Sequence, residues 1–221
     1  MSLPPENSPS GSSEAGLPCT QSGEFSAHER SVLLRLAHDS IGSALDHRDI
    51  SLEPPSPHLA EPRGVFTTIC LRGQLRGCVG YVFPTTSLFR AVAETARAAA
   101  FEDTRFLPVT REEASQLEVS VSVLSPLAAI TPESVEVGRH GLLVSQHGHR
   151  GLLLPQVPVE HGWDRLAFLE QTCRKAGLAI DAWQHGAALE AFTAEVFGDR
   201  SPTMLHPLES TGAQGGIPPA G

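Results

Sequence analysis

The segment GVFTTICLRGQLRGCVGYVF, residues 64–83, determines the architecture that we predict for this chain. Between Gly64 and Arg72, successive side chains alternate between two faces, and the β-branched and aromatic residues there are typical of a strand. A short turn follows at residues 72–74, and the chain returns as a second strand over residues 75–83. The segment therefore predicts an antiparallel β-hairpin.

The returning strand begins with LRGCVG, residues 75–80, which combines a cation, a thiol and two glycines. Strand interiors disfavour glycine because it costs backbone entropy and packs nothing, so Gly77 and Gly80 indicate that something approaches the backbone closely. Alternate residues of a strand project to the same face, which predicts that Arg76 and Cys78 face one cleft. There the guanidinium would lower the pKa of the Cys78 thiol. The hexapeptide therefore predicts a binding or catalytic site.

Two other interpretations of the hexapeptide stay open. Unpaired cysteine is among the most buried residue types, so a small buried hydrophobe is favoured for Cys78 by roughly two to one. Residues 77–80 also match the GxxG pattern of a KH nucleic-acid module, although they lie in an apolar strand and not between two helices. The pattern predicts where a site lies but not which reaction or ligand it serves.

Helices and further strands are predicted on both sides of the hairpin. Ser26 and Glu29 form a capping-box pattern ahead of an apolar stripe with helical spacing, which predicts a helix near residues 26–46. Thr85 or Thr86 begins a second, alanine-rich helix. The remaining predicted elements are a short helix from Thr110, a strand at Leu117–Leu124, a hairpin around residues 142–154, a helix at 163–176 and a last strand at 190–197.

These elements follow one another as helix, hairpin, helix, strand, hairpin, helix, strand. Few helical crossovers connect the strands, which favours an α+β fold with a largely antiparallel sheet flanked by helices. Both ends of the chain are rich in Pro, Ser and Gly and cannot bury enough apolar surface to offset the entropy of ordering. We therefore predict disordered tails at residues 1–24 and 199–221 and one domain at residues 25–198.

Composition disfavours several classes of protein. The formal net charge is −9 over 221 residues, whereas binding to a nucleic-acid backbone needs a positive surface, so nucleic acid is disfavoured as a partner. The four cysteines form no CxxC pair, and we predict no metal site, cofactor or disulfide framework. Lys175 is the only lysine, and no P-loop sequence surrounds it. No apolar run is long enough to span a membrane, so we predict a cytoplasmic protein with reduced thiols.

Two polar residues outside the hexapeptide are further candidates for the site. His140 lies in a glycine-flanked loop, where it is either a group for acid–base chemistry or a hydrogen-bonded turn residue. Glu118 lies on the polar side of the Leu117–Leu124 strand, where it lines a cleft or faces solvent. Asp103 and Arg105, two residues apart, are predicted to form a structural ion pair or a cap.

The hexapeptide at residues 75–80 resembles the signature of the AMMECR family, which occurs in archaea, bacteria and eukaryotes. Two positions differ from the family pattern: Tyr81 stands where a small hydroxyl residue is usual, and Val79 stands where isoleucine is typical. Further stretches that resemble the family follow in order, so that the resemblance extends from Phe25 to Phe197. These stretches are Gly64–Phe66, Asp103–Phe106, Leu117–Leu124, Gly138–Leu142, Leu154–Val157, Gly162–Trp163, Cys173–Leu178 and Trp183.

The resemblance implies a two-lobed α+β fold of one domain, with the hexapeptide at a cleft between the lobes. It also implies a setting called the AmmeMemoRadiSam system, in which the domain is encoded with, or fused to, two other proteins. One of these is a Memo-like protein related to extradiol dioxygenases, and the other is a radical S-adenosylmethionine (radical-SAM) protein. This chain would resemble the stand-alone component A of that system.

Two functional hypotheses follow from the residues and the resemblance. In the first, the chain is an enzyme or catalytic component of such a modification system: Cys78 reacts with or touches substrate, Arg76 binds an anion or tunes the thiol, and His140 acts in acid–base chemistry. In the second, the chain is a binding module without chemistry of its own, which docks onto the Memo-like or radical-SAM partner. The residues that would line the substrate site are Gly77, Gly80 and Glu118.

Overall fold

The computed structural model describes residues 23–200, so the two predicted tails lie almost entirely outside the described residues. No helix in this part of the chain combines the length and the apolar character needed to cross a membrane. The described residues form six α-helices and eight β-strands. The helices are α1 (Ala27–Asp46), α2 (Pro57–Ala60), α3 (Leu88–Phe101), α4 (Arg111–Ala114), α5 (Gln156–Glu160) and α6 (Arg165–Lys175). The strands are β1 (Val65–Leu71), β2 (Gln74–Tyr81), β3 (Leu117–Leu124), β4 (Ala128–Ala129), β5 (Gly141–Gln146), β6 (His149–Leu153), β7 (Ala188–Phe192) and β8 (Ala194–Gly198).

The strands form two antiparallel sheets of four strands each within the described residues. The first sheet has the order β2-β1-β3-β8, and the second has the order β4-β7-β5-β6. Because β3 leads into β4 and β7 leads into β8, two segments of chain run from one sheet to the other. Between the sheets, the Ser125 N–H donates to the Thr193 carbonyl and the Thr193 N–H donates to the Ser125 hydroxyl, both at 2.9 Å. The predicted α+β class with antiparallel pairing in one domain is confirmed.

The last predicted strand, residues 190–197, is divided between the two sheets. Strand β7 pairs with β4 and β5 in the second sheet, whereas β8 pairs with β3 in the first. The sequence does not mark the change of sheet, because Thr193, where it occurs, is β-branched like a strand residue. Three short elements, α2, α5 and β4, are also absent from the prediction because they are too short to show periodicity.

Helices α1 and α3 cover one face of the first sheet. The capping box of α1 is confirmed: the Ser26 hydroxyl accepts the Glu29 N–H, and the Glu29 carboxylate accepts the Ser26 N–H. Helix α3 begins one or two residues later than predicted, because the hydroxyl that caps it belongs to Ser87, which accepts the Arg90 N–H. The buried residues of β1 and β3 on this face are Val65, Thr67, Ile69, Leu117, Val119, Val121 and Val123.

The predicted hairpin at residues 64–83 is confirmed as the β1–β2 pair, with a bulge near its turn. The register shifts after Ile69, so that Arg76 has no residue opposite it. A bulge bends the strand and re-aims the side chain of the extra residue. The alternation that would place Arg76 and Cys78 on one face therefore does not hold at this point.

Gly77 is required by the close approach of α3 to β2. A Cβ atom at Gly77 would overlap the carbonyl oxygen of Ala99, a backbone atom that cannot turn away. We expect Gly77→Ala to lower the free energy of unfolding by about 1–3 kcal/mol, measured by urea denaturation. The matched control is Gly42→Ala, because Gly42 lies inside α1 with open space around it, and alanine there should add about 0.5–1 kcal/mol. A Gly77→Ala variant as stable as the parent would contradict this account of the α3–β2 contact.

Candidate functional site

The Cys78 side chain lies on the face of the first sheet opposite α1 and α3. Cys78 is paired with Thr68 in β1, and Thr68 is paired with Ser120 in β3. The Thr68 hydroxyl donates a hydrogen bond to the Cys78 sulfur at 3.2 Å. We call this surface the polar face, and its residues are Phe66, Thr68, Cys70, Cys78, Glu118, Ser120, Ser122 and Val196.

Burial determines the charge state of the Cys78 thiol. Cys78 is half-buried, and burial raises the pKa of its thiol, although the Thr68 hydrogen bond and the Arg105 guanidinium act in the opposite direction. Burial also raises the pKa of Cys70, with a further contribution from Glu118. Both thiols are therefore protonated at neutral pH, whereas the reactive form of a cysteine is the thiolate.

Two side chains from the segment after α3 bond to the backbone of Cys78. Strand β2 is an edge strand, and the N–H and C=O of Cys78 both project away from β1. The N–H donates to Asp103 Oδ2 at 2.9 Å, and the C=O accepts from Arg105 Nη2 at 3.3 Å. These side chains thus occupy the place of a neighbouring strand and close this part of the edge.

Asp103 and Arg105 form the ion pair that their spacing predicts. Arg105 Nη2 lies 2.7 Å from Asp103 Oδ2, and Arg105 Nε donates to Asp103 Oδ1 at 2.9 Å. The Asp103 side chain is only 6% exposed. The hydrogen bonds from Arg105, followed by the one from the Cys78 N–H, lower the pKa of Asp103 to about 2 against the effect of burial. A charged carboxylate is therefore fixed beside the Cys78 backbone throughout the physiological pH range.

Arg76 fastens the segment after α3 to β2. Its guanidinium contacts both carboxylate oxygens of Glu113, at 3.2 and 3.1 Å, and donates to the carbonyl oxygens of residues 107 and 108 at 2.7 and 3.2 Å. Its side chain is 14% exposed. The prediction that Arg76 lowers the pKa of the Cys78 thiol is wrong, because the bulge directs Arg76 to Glu113 and the cation that acts on the thiol is Arg105.

The two glycines of the hexapeptide are explained by contacts within the chain. Gly77 faces the Ala99 carbonyl of α3, as described above. A Cβ atom at Gly80 would overlap the backbone of Val65 and Phe66 in β1. The close approach that the sequence predicts is thus made by α3 and β1, and a role for either glycine in binding substrate stays a prediction.

His140 and Glu118 lie in different sheets. His140 precedes β5 of the second sheet, where its N–H donates to the Glu136 carbonyl at 3.0 Å and its Nδ1 accepts the Glu136 N–H at 3.1 Å. No hydrogen bond or ion pair of residues 23–200 joins it to Cys78, and its catalytic role stays a prediction. Glu118 shares the polar face with Cys78 and forms an ion pair with Arg200 at 2.7 Å.

Sequence reasoning did not place three residues beside the thiol, and it predicted no metal ligands. Thr68, Asp103 and Arg105 surround Cys78, yet only Asp103 and Arg105 carried a signal, as part of a stretch that resembles the family. Within the described residues, no three His, Cys, Asp or Glu side chains are grouped closely enough to hold a metal ion. The site can therefore form hydrogen bonds through hydroxyl groups and through a protonated thiol, all of which lie on the face of an ordered sheet.

This chain is a small α+β domain with two antiparallel sheets, a thiol on a polar strand face and an Asp–Arg pair that closes the edge of β2 beside it. A sequence model of the AMMECR1 family matches residues 34–197, which include each of these features. The chain belongs to the AMMECR1 family. The resemblance seen in the sequence is thereby confirmed.

Individual relatives support the same assignment. A protein from Methanosarcina acetivorans is 40% identical over 186 residues, which cover 79% of this chain and 93% of its own. A protein from Thermococcus gammatolerans is 43% identical over 194 residues, which cover 80% and 94%. The crystal structure of the uncharacterized protein PH0010 from Pyrococcus horikoshii has a TM-score of 0.61 to this chain at 41% identity, and covers 77% of this chain and 91% of its own.

Removal of the Asp103 carboxylate should destabilise the hairpin edge. Asp103→Ala leaves the Cys78 N–H and the Arg105 guanidinium without their acceptor, and we expect the free energy of unfolding at pH 7 to fall by about 1–3 kcal/mol. Because the pKa of Asp103 falls from 3.8 to about 2 on folding, its contribution is present above pH 3.8 and disappears as the pH falls towards 2. Urea denaturation at pH 7 and pH 3 measures both effects.

The control is Glu136→Ala, which removes an exposed ion pair with Arg139 and should change stability far less than Asp103→Ala does. An Asp103→Ala variant that costs no more than this control would show that the Cys78 edge does not depend on the carboxylate.

Proposed function

We propose that this chain is a binding module and that the polar face around Cys78 is its recognition surface. The observation that carries the proposal is the charge state of the site. The Cys78 thiol is protonated, Arg105 is paired with Asp103, and Arg76 is paired with Glu113. Both arginines are thus engaged in structural ion pairs, and the thiol is not in its reactive form. These two facts support recognition over reaction.

The composition of the polar face supports the same role. Thr68, Ser120 and Ser122 present hydroxyl groups in one band across strands β1 and β3, and Phe66 and Val196 flank them. Such a mixture of neutral hydrogen-bonding groups and apolar area is typical of a surface that binds another molecule without strong charge. Because it lies on sheet strands, the surface is already ordered before binding, which reduces the entropy cost of association.

The family setting suggests which molecules bind there. The resemblance of the hexapeptide to the AMMECR signature implies an AmmeMemoRadiSam-type modification system, whose other members are a Memo-like protein and a radical-SAM protein. We infer that the polar face docks one of these two proteins in the cytoplasm. The partner would then supply the chemistry, and this chain would bring the partner to its place of action.

A bulky cation in the middle of the polar face should block this docking. Ser122 is half-buried between Phe66 and Val196, so Ser122→Arg projects a long charged side chain from the centre of the surface. We expect binding to the Memo-like or radical-SAM protein of the same genome, measured by calorimetry, to weaken at least tenfold, or about 1.4 kcal/mol. Ser115→Arg is the control, since Ser115 is exposed after α4 and is not part of the polar face.

The control variant should bind as the parent does, and both variants should unfold at the temperature of the parent. Equal binding by Ser122→Arg, or no binding of either protein by the parent chain, would contradict the proposal.

A second candidate function is catalysis by Cys78, as the first hypothesis from the sequence has it. Two contacts favour it: the Thr68 hydroxyl donates to the sulfur, and Arg105 lies close enough to lower the thiol pKa. Both contacts favour the thiolate over the thiol and therefore act in the direction that catalysis needs. In that case His140 and Arg76 would serve as acid–base and anion-binding groups, although neither contacts the sulfur in this structure.

The rate of thiol alkylation separates the two candidates. Because burial raises the pKa of Cys78, its thiolate fraction at pH 7 is small, and we expect iodoacetamide to modify Cys78 more slowly than Cys19, which lies outside the described residues. The rate should rise with an apparent pKa above 9.0, and Thr68→Val should slow it about two- to tenfold by removing a hydrogen bond. Mass spectrometry of the separated peptides measures each cysteine. Faster modification of Cys78 than of Cys19 at pH 7 would favour catalysis over binding.

A further inference from the structure

Strand β8 is the other edge of the first sheet, and its outer backbone groups can be assigned from the ladder. The Asp199 N–H donates to the Val119 carbonyl at 3.0 Å, and the Ser125 N–H donates to the Thr193 carbonyl at 2.9 Å. Bonded and non-bonded pairs alternate in an antiparallel ladder, so residues 195, 197 and 199 bond to β3. The N–H and C=O groups of Val196 and Gly198 therefore project outward, away from β3.

No side chain of the described residues hydrogen-bonds to these outward groups, in contrast to Cys78 on the opposite edge. They border a cleft of about 580 Å³ that runs between β8 and one side of α1. The cleft has a defined length, because an ion pair closes each end: Arg30 with Glu195 and His38 with Asp199, each at 2.8 Å. The four-residue step from 195 to 199 corresponds to roughly 13 Å of extended chain.

The cleft contains one cation without a carboxylate partner. Arg30 and His38 each contact a carboxylate, but Arg35, which also lines the cleft, is exposed and forms no ion pair with another residue of the described chain. Beside Arg35, Leu34 and Phe197 give the cleft an apolar portion.

We propose that the β8 edge binds a short, extended, acidic peptide segment of a partner protein as a fifth strand of the first sheet. The backbone of the peptide bonds to the outward groups of Val196 and Gly198, as in other cases of strand addition. Alternate peptide side chains face α1, where an apolar side chain contacts Leu34 and Phe197 and a carboxylate pairs with Arg35. This edge borders the polar face, to which the Val196 side chain belongs, but the peptide binds the β8 backbone and the α1 side of the cleft, so the proposal does not depend on the function proposed above.

The probe for this proposal is a phage-displayed library of random octapeptides, selected on the full-length chain and followed by fluorescence polarisation with the enriched peptides. Val196→Pro removes an outward N–H that the β3 ladder does not use, and proline is tolerated at such edge positions. Arg35→Glu reverses the unpaired charge. Arg97→Glu is the control, because Arg97 is an exposed cation on α3, outside the cleft.

We expect enriched peptides that carry a carboxylate two residues from an apolar residue and bind more weakly at high salt. Val196→Pro and Arg35→Glu should each weaken binding at least tenfold, and Arg97→Glu should change it less than twofold. If Val196→Pro alters the far-ultraviolet circular dichroism spectrum, Arg35→Glu and the salt dependence decide the result. Failure to enrich any peptide, equal binding by Arg35→Glu, or a dimer of the parent chain that Val196→Pro dissociates would overturn the proposal. In the last case the edge would serve a second copy of this chain.

Discussion

The carboxylate of Asp103 holds the candidate site together. It accepts the Cys78 N–H at 2.9 Å and two hydrogen bonds from the Arg105 guanidinium, and Arg105 in turn donates to the Cys78 carbonyl. A nearly buried carboxylate is costly unless each of its oxygens is hydrogen-bonded, and here both are. The low pKa of Asp103, about 2, reflects this arrangement and keeps the edge of β2 closed at any physiological pH.

The hexapeptide and the stretch at residues 103–106 are therefore one structural unit, although they lie far apart in the chain. Asp103 and Arg105 bind the backbone of Cys78, and Arg76 binds the far end of the same segment through Glu113 and two carbonyl oxygens. Gly77 permits α3, which leads into this segment, to lie against β2. Arg76 and Gly77, which the sequence analysis assigns to the predicted site, thus act with Asp103 and Arg105 to join a helix end to a strand edge. The thiol alone faces outward onto the polar face, which is why its charge state decides between recognition and reaction.

The sequence predicts the helices and strands that depend on local periodicity. It does not predict the features that contacts between distant residues determine. The β1–β2 hairpin, the capping box of Ser26 and the β3 strand all follow from short-range patterns, and all are confirmed. The bulge at Arg76 leaves no trace in the alternation, so the face on which its guanidinium lies could not be predicted. The passage of the chain from β7 to β8 is equally hidden, because both strands are apolar and Thr193 between them suits a strand. The positions of Asp103 and Arg105 beside Cys78 depend on how α3 packs, which no single stretch of sequence encodes.

The two edges of the first sheet differ in whether side chains bond to their outward backbone groups. On β2, side chains satisfy the outward backbone groups of Cys78, as proteins often do to prevent edge-to-edge association. On β8, the corresponding groups of Val196 and Gly198 have no side-chain partner among the described residues, yet ion pairs close both ends of the adjoining cleft. A strand longer than roughly 13 Å would have to displace Arg30 from Glu195 or His38 from Asp199, whose side chains are partly shielded from solvent. The β8 edge therefore suits a short segment better than the continuous strands that build aggregates, as expected if it binds the peptide proposed above.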